Sequence, residues 1–171
     1  MRQRHLIVFA KEPRIGRVKT RLGRDIGAVW AWRFYRQTLI RIYRRLSRDR
    51  RWQTWLYVAP DSALTKSGAW PQRARLRRQG QGDLGSRMQR ALHTMPPGPV
   101  VLIGADIPGI EASHIADAFK ALGQADMVFG PACDGGFWLV GVSGRRRTDL
   151  FKGVDWAGPE TLRQTPAGLA P

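Results

Sequence analysis

The fold is decided by the stretch Leu6-Ile7-Val8-Phe9-Ala10-Lys11-Glu12-Pro13-Arg14-Ile15-Gly16-Arg17-Val18-Lys19-Thr20-Arg21-Leu22, where an apolar run gives way to a basic one. Because the apolar run is short and rich in branched side chains, it predicts a buried strand over residues 4–10. Pro13 and Gly16 predict a loop over residues 11–18. The apolar residues that follow recur three or four positions apart, from Ala28 to Leu46, and predict a helix broken near Gly23 to Gly27.

Strand and helix patterns alternate along the rest of the chain. Short apolar runs predict strands over residues 52–59, 100–103, 127–131 and 137–142, and helical spacing predicts helices over residues 84–95 and 111–122. Residues 74–78 are a further candidate for a short strand, although their basic and polar positions count against it. This alternation predicts an α/β fold with a largely parallel sheet that is covered on both faces. The last two strands are so close in sequence that they predict an antiparallel hairpin and a mixed sheet. A chain of 171 residues is expected to form one domain, residues 1–171.

The composition is strongly basic, with a formal net charge of +16 at pH 7. Such a field attracts nucleic acid, anionic lipid surfaces or phosphorylated small molecules, although a solvated and functionally neutral basic face is the alternative. The arginines concentrate in residues 14–51, 73–78 and 145–147. No apolar run approaches the ~20 residues of a membrane span, and no signal-peptide pattern follows the N-terminus. The expectation is a cytoplasmic protein.

Cysteine and histidine usage argues against several kinds of site. A single cysteine excludes an internal disulfide and a cysteine-based zinc site. We interpret Cys133 as a small buried apolar residue rather than a catalytic thiol. The three histidines share no metal-ligand spacing and are interpreted as structural or exposed.

The segment from Lys11 to Arg21 is a basic, glycine-containing loop between a strand and a helix. It has the spacing of neither a P-loop nor a dinucleotide fingerprint. Gly16 nevertheless lets the backbone approach an anion, and Lys19-Thr20-Arg21 places cations at a helix N-terminus. The segment favours a phosphate site over its alternative, a solvated basic loop.

Two aspartates follow apolar strands. Asp106 precedes Pro108, which disfavours helix directly after the aspartate, so a metal ligand is favoured over a helix cap. Asp134 lies in a glycine-rich turn, where aspartate is commonly structural, but it pairs with Asp106 at a neighbouring strand end. Such strand ends border the ligand crevice of open α/β sheets. A cationic loop that faces two carboxylates predicts a polyphosphate with a divalent metal.

A second glycine-rich helix entry runs from Gln79 to Met88. Its glycines permit close approach of a base or ribose, while a simple turn with Asp83 as helix N-cap is the alternative. Further along, Trp156 beside Asp155 could stack on a ligand, although a core or lid tryptophan is the favoured interpretation.

Five elements together resemble the DUF2064 family, bacterial proteins described as glycosyltransferases of the GT-A, or nucleotide-diphospho-sugar transferase, superfamily. The elements are Phe9 to Leu22, Gln79 to Met88, Gly104 to Pro108, Gly130 to Gly141, and Trp156. The resemblance spans residues 5 to 165. It implies a Rossmann-like, three-layer α/β/α fold with a mostly parallel, mixed sheet. Family members continue for some tens of residues beyond Leu162 to Thr165, so the C-terminus is expected to be short for the family.

The resemblance also implies roles for individual residues. The implied phosphate-binding residues are Lys11, Gly16, Lys19 and Arg21. Gln79, Gly82 and Asp83 are implied to lie near the base or ribose, and Asp106 to bind Mg²⁺ or Mn²⁺. Asp134 would face the transferred group or acceptor as a catalytic residue, with Lys19 assisting at the leaving phosphate.

These features support three hypotheses of function. The leading one is a metal-dependent transferase that uses an activated nucleotide, with glycosyl transfer from a nucleotide-diphospho-sugar to an unknown acceptor. The second is a nucleotidyltransferase that joins an NTP to a phosphorylated small acid. The third is a non-catalytic basic module that binds nucleic acid or an anionic membrane surface. The acidic strand ends count against this last hypothesis, because carboxylates repel phosphate unless a metal intervenes.

Overall fold

A mixed sheet of six strands forms the middle layer of the protein. The computed structural model describes residues 3–65, 68–145, 150–154, 156 and 161–165. The strands are β1 (His5–Lys11), β2 (Gln53–Ala59), β3 (Leu76–Arg78), β4 (Val100–Gly104), β5 (Met127–Pro131) and β6 (Phe137–Val142). Their order in the sheet is β3-β2-β1-β4-β6-β5. The pairs that β1 makes with β2 and β4, and that β2 makes with β3, are parallel, whereas β6 runs antiparallel to β4 and β5. The predicted mixed sheet and terminal hairpin are confirmed.

Helices cover both faces of this sheet. They are α1 (Thr20–Ile26), α2 (Ala28–Ser47), α3 (Leu84–His93), α4 (Ala112–Ala121) and α5 (Thr161–Gln164), with a short 3-10 helix at Asp61–Thr65. The predicted break in the first helix falls at Gly27, whose φ of 88° lies in a region that favours glycine. Asp83 caps α3, as predicted, by accepting a hydrogen bond of 2.7 Å from the Ser86 N–H.

The core is split by the sheet into two clusters because successive strand side chains point to opposite faces. On β1, Leu6 and Val8 face α2 and α4, whereas Ile7 faces α3. All three side chains are fully buried. The apolar run read from the sequence is therefore a central strand that is buried on both faces, as parallel sheets require.

Two expectations about single residues were wrong. Cys133 is exposed, since the turn between β5 and β6 carries it beyond the end of the sheet. Ala28 is also exposed, because α2 begins there and its buried stripe starts at Ala31. Asp155, Arg146, Arg147 and residues 166–171 lie outside the described residues. None of the described helices combines the length and apolar composition that a membrane span requires.

Candidate functional site

The candidate site lies where β1 and β4 end side by side. The two strands pair in parallel, with Phe9 opposite Gly104. The pairing continues one step further, because the Ala105 N–H donates a 3.0 Å hydrogen bond to the Phe9 carbonyl. Lys11 and Asp106 therefore lie next to each other at the carboxyl ends of these two strands. In an open α/β sheet the carboxyl ends of the parallel strands border the ligand crevice.

The basic loop after β1 is fixed to its surroundings. Val18 is buried in the core, and the Trp32 indole N–H donates to the Pro13 carbonyl at 2.8 Å. The Arg14 guanidinium lies 2.8 Å from a carboxylate oxygen of the buried Glu12. The charge of Arg14 is thus partnered inside the loop.

Tyr35 on α2 holds the end of β1 in place. Its hydroxyl accepts a hydrogen bond of 2.8 Å from the Lys11 N–H and donates one of 3.0 Å to the Lys11 carbonyl. Burial raises the pKa of the Tyr35 phenol well above its ordinary value, so the group stays protonated and keeps its donor. These two hydrogen bonds fix the backbone of Lys11, whose side chain lines the site.

Lys19 combines an unusual backbone with an ion pair. Its φ of 48° and ψ of 46° are left-handed, a conformation that costs roughly 1–2 kcal/mol in a residue with a side chain. Its ammonium lies 2.7 Å from Asp106 Oδ2, and the two side chains are 32% and 39% exposed. A pair so open to solvent contributes at most about 1 kcal/mol. The pair alone does not offset the backbone cost, and such strain is typical of functional sites.

A cavity of about 620 Å³ opens between the basic loop and the strand ends, and we name it the basic cavity. Its volume is within the usual range for small-molecule sites. Among the described residues, four cationic side chains and one carboxylate line it. These are Lys11, Arg17, Lys19, Arg21 and Asp106. The sequence predicted this set except for Arg17, whose only signal was its place in the same basic loop.

A second cavity of about 440 Å³ shares Lys11 and Arg17 with the first, and we name it the glycine cavity. Its wall includes residues 59–61 and 80–82. Gly82, implied by the resemblance to lie near a base or ribose, is part of this wall. Gly16 has a φ of 73° and serves the turn of the basic loop.

Two of the predicted nucleotide-binding residues carry structural hydrogen bonds. The Gln79 amide is buried, donates to the carbonyls of Ala10 and Tyr57, and accepts from Arg87. It ties the ends of β1 and β2 together at the wall of the basic cavity. The carboxylate of Asp83 caps α3, and its hydrogen bonds with Ser86 lower its pKa. Any contact of these side chains with a nucleotide stays a prediction.

A third cavity, of about 770 Å³, adjoins the basic cavity along Phe9, Arg21 and Leu84, and we name it the aromatic cavity. Its wall is mostly apolar and holds Asp134. The aromatic and apolar members are Phe9, Leu84, Met88, Leu102, Ile107, Ala132, Phe137, Trp138 and Trp156. The two candidate aspartates thus share one edge of the sheet but line adjoining cavities.

Asp134 is exposed and positioned by its turn. Its Oδ1 accepts a hydrogen bond of 3.1 Å from the Gly136 N–H, and the turn is held by a 3.0 Å bond from the Leu162 N–H to the Gly135 carbonyl. The structural role that the sequence suggested for Asp134 is therefore confirmed for Oδ1, which stabilises the turn. The same carboxylate also lines the aromatic cavity.

Trp156 belongs to the wall of the aromatic cavity. Its ring centroid lies 5.7 Å from that of Phe151 and 6.1 Å from that of Phe137. Gly85 on α3 allows the close approach, because a Cβ there would lie 2.8 Å from Trp156 Cζ2. The indole is half-buried and packs in an aromatic cluster, in agreement with the interpretation of a core or lid tryptophan.

The donor set limits what metal the site could hold. Among the described residues, no group of three or more His, Cys, Asp or Glu side chains is arranged to bind a metal ion. Asp106 offers a single carboxylate. Mg²⁺ is usually bound through one or two carboxylates together with substrate phosphates and water. The donor set fits an ion that shares its coordination with a polyphosphate, and does not fit an all-protein cage.

Comparisons with known proteins show which family and which folds the chain resembles. A family model described as "Uncharacterized protein conserved in bacteria (DUF2064)" matches residues 42–158. A crystal structure from Desulfovibrio desulfuricans G20, provisionally described as a nucleotide-diphospho-sugar transferase, is 30% identical with a TM-score of 0.81. That match covers 91% of this chain and 70% of the other. None of the curated proteins matches the chain.

Two more distant structures share the fold alone. The 4-diphosphocytidyl-2C-methyl-D-erythritol synthase of Anaerococcus prevotii DSM 20548 is 12% identical with a TM-score of 0.50, over 83% of this chain and 70% of that one. A CMP:2-keto-3-deoxy-manno-octonic acid synthetase complexed with CTP is 11% identical, also with a TM-score of 0.50, over 94% of this chain and 82% of that one.

Proposed function

The chain belongs to the DUF2064 family, and we propose that it is a transferase that uses an activated nucleotide. The reaction we propose is glycosyl transfer from a nucleotide-diphospho-sugar to an acceptor hydroxyl. One observation carries the proposal: the cationic basic cavity, with Asp106 in its wall, shares Phe9, Arg21 and Leu84 with the aromatic cavity, whose wall contains Asp134. Donor and acceptor would meet beside these shared residues.

The diphosphate of the donor is assigned to the basic cavity. Lysine and arginine donate charge-assisted hydrogen bonds to phosphate oxygens, and arginine can do so with two parallel bonds. We assign this role to Lys11, Lys19 and Arg21, which line the cavity together. The nucleoside is assigned to the glycine cavity, because Lys11 and Arg17 line both that cavity and the basic cavity.

Asp106 is assigned to a divalent metal ion, Mg²⁺ or Mn²⁺. Such an ion offsets the negative charge that develops on the leaving phosphate. Lys19 supports the same end of the reaction, since its ammonium already lies beside Asp106. It would stabilise the developing charge through a hydrogen bond to a phosphate oxygen.

Asp134 is assigned to the acceptor. The acceptor oxygen forms a bond to the anomeric carbon of the sugar while the bond from that carbon to the diphosphate breaks. The nucleoside diphosphate leaves with the electron pair. Asp134 orients the acceptor hydroxyl and takes its proton as general base. Its position in the wall of the aromatic cavity supports this role.

Nucleotidyl transfer is the alternative within the same enzyme class. It is supported at the level of fold by the likeness to a synthetase complexed with CTP. In that reaction the donor is an NTP and the leaving group is pyrophosphate, so the donor preference separates the two reactions.

A thermal-shift titration tests the proposal. The panel consists of nucleoside triphosphates and nucleotide sugars, each with and without Mn²⁺, at two salt concentrations. A ligand at about 100 times its Kd stabilises the native state by roughly 2.7 kcal/mol, which raises the Tm of a protein this size by roughly 5–10 °C.

We expect a Mn²⁺-dependent shift that is selective for one nucleotide sugar. Selectivity for one NTP would instead favour nucleotidyl transfer. If no nucleotide shifts the Tm under either salt condition, the transferase proposal fails and the hypothesis of a non-catalytic basic module takes its place.

A further inference from the structure

An apolar patch is exposed at the corner between α1 and α2. The patch consists of Ile26, Val29, Trp30 and Phe34, which are 46%, 56%, 61% and 38% exposed. We name it the corner patch. Trp30 and Phe34 lie one helical turn apart on α2, and Ile26 and Val29 lie on either side of the break at Gly27. Exposed apolar side chains grouped around one helix junction are typical of an interaction surface, whereas scattered apolar residues are ordinary.

The exposed face of α2 carries arginines next to the corner patch, and we name Arg33, Arg41 and Arg44 the arginine face. Arg33, Arg41 and Arg44 are exposed on this helix, which contains five arginines and no acidic residue. The Arg33 guanidinium lies over the Trp30 ring, 5.6 Å from its centroid. The opposite stripe of α2 is buried against the sheet, with Tyr35 and Leu39 among its members. Asp25, just before the corner patch, is the one acidic residue of α1.

We propose that the corner patch and the arginine face of α2 dock on an anionic lipid bilayer. Aromatic and aliphatic side chains enter the boundary between headgroups and acyl chains, while arginines on the same surface contact acidic headgroups. The net charge of +16 adds long-range attraction to such a surface. This docking does not depend on the proposed function.

The composition of the surface favours lipid over other occupants. A nucleic acid would use the arginines, but it would leave the aliphatic Ile26 and Val29 exposed to water. A second copy of the chain would cover the apolar residues, but it would bring two arginine faces together. A bilayer with acidic headgroups satisfies both parts of the surface at once.

The corner patch lies close to the candidate site along the chain. Thr20 and Arg21, at the start of α1, line the basic cavity, and α1 ends at Ile26. Docking would therefore place the candidate site next to the lipid surface. If the proposed transfer is correct, this position suits an acceptor that is carried by the membrane.

Vesicle co-sedimentation of the full chain tests the docking. The vesicles contain either phosphatidylcholine alone or phosphatidylcholine with about one-third phosphatidylglycerol, which supplies the anionic surface. We expect binding to the anionic vesicles only. The double variant Trp30→Ser/Phe34→Ser should lower the partition coefficient by about 10-fold or more. Its Tm is measured alongside to show that it is folded, because Phe34 is only 38% exposed in the free protein.

A matched pair of charge variants locates the contact. Arg33→Gln/Arg41→Gln/Arg44→Gln removes three charges from the arginine face and should weaken binding on the order of 100-fold. The control variant, Arg73→Gln/Arg77→Gln/Arg78→Gln, removes the same charge around β3 and should keep most of the binding. Equal losses in the two variants would mean that diffuse charge is responsible, and would overturn the proposal.

Three further results would overturn it as well. One is unchanged vesicle binding by the Trp30/Phe34 double variant. Another is binding of a DNA oligonucleotide that depends on the arginine face, without any binding to vesicles. The last is concentration-dependent dimerisation in size-exclusion chromatography that the double variant abolishes, since this would identify a second copy as the occupant.

Discussion

Lys19 stands in a conformation that glycine would adopt at lower cost. Its φ is 48°, and its ammonium makes an ion pair with Asp106 that is too open to solvent to offset the strain. A residue whose backbone strain destabilises the folded protein is often retained because function requires its side chain. The ammonium, rather than the backbone, is therefore the feature to test.

A pair of substitutions separates backbone from charge. Lys19→Ala removes the ammonium and keeps the strain, while Lys19→Gly removes both. We expect the glycine variant to be more stable than the alanine variant by about 0.5–1 kcal/mol, measured by urea unfolding. Both variants should bind nucleoside diphosphates more weakly and nucleosides unchanged in calorimetry. Equal losses for diphosphate and nucleoside would point to general destabilisation instead.

Asp106→Asn tests the assigned metal ligand. The substitution preserves shape at a partly exposed position, so the free energy of unfolding should change by less than about 1 kcal/mol. The Mn²⁺ dependence of nucleotide stabilisation should disappear, because the amide is a much weaker metal ligand. Asp134→Asn is the control and should keep that dependence. Stabilisation of Asp106→Asn that still requires Mn²⁺ would sink the assignment.

At the scale of elements, the contact between α3 and the aromatic cluster depends on one glycine. A Cβ on Gly85 would lie 2.8 Å from Trp156 Cζ2 and 3.0 Å from Phe151 Cβ. Alanine would gain about 1 kcal/mol of helix propensity, but overpacking of this kind typically costs about 1–3 kcal/mol. The cost of overpacking is therefore expected to exceed the gain in helix propensity.

We therefore expect Gly85→Ala to lower the free energy of unfolding by about 1 kcal/mol, measured by urea unfolding. It should also reduce affinity for an acceptor in the aromatic cavity, because Trp156 would shift. A gain in stability of about 1 kcal/mol would show that Trp156 moves aside without cost, and would contradict the close packing described above.

At the scale of the whole molecule, the charge of +16 acts on stability and on binding in opposite directions. Repulsion among like charges destabilises the compact state, while the same field attracts anionic ligands. Salt screens both effects, since the Debye length falls from about 10 Å at 0.1 M to about 3 Å at 1 M.

Raising NaCl over this range should increase the Tm of the free protein and lower its affinity for nucleotides. Thermal unfolding and calorimetry at each salt concentration measure the two effects. A Tm that does not change with NaCl would indicate that each arginine is balanced locally, and would remove the argument for a long-range field.

Much of the fold follows from local patterns. The strand β1 and the helix break at Gly27 were predictable because burial periodicity and glycine conformation depend on neighbours within a few residues. The cap on α3 was predictable for the same reason. The exposure of Cys133 was not, because a turn residue can face either way until the strands on both sides are paired.

The sequence by itself determined the alternation of strands and helices, the basic loop after β1 and the carboxylate after β4. Only the tertiary structure decided which of these residues meet. Tyr35 holds Lys11 from 24 residues away, and Lys19 reaches Asp106 across the edge of two paired strands. The division of Asp106 and Asp134 between adjoining cavities is also a product of packing. Periodicity encodes which face of an element is buried, whereas contacts between distant segments depend on strand order and register, which no local pattern specifies.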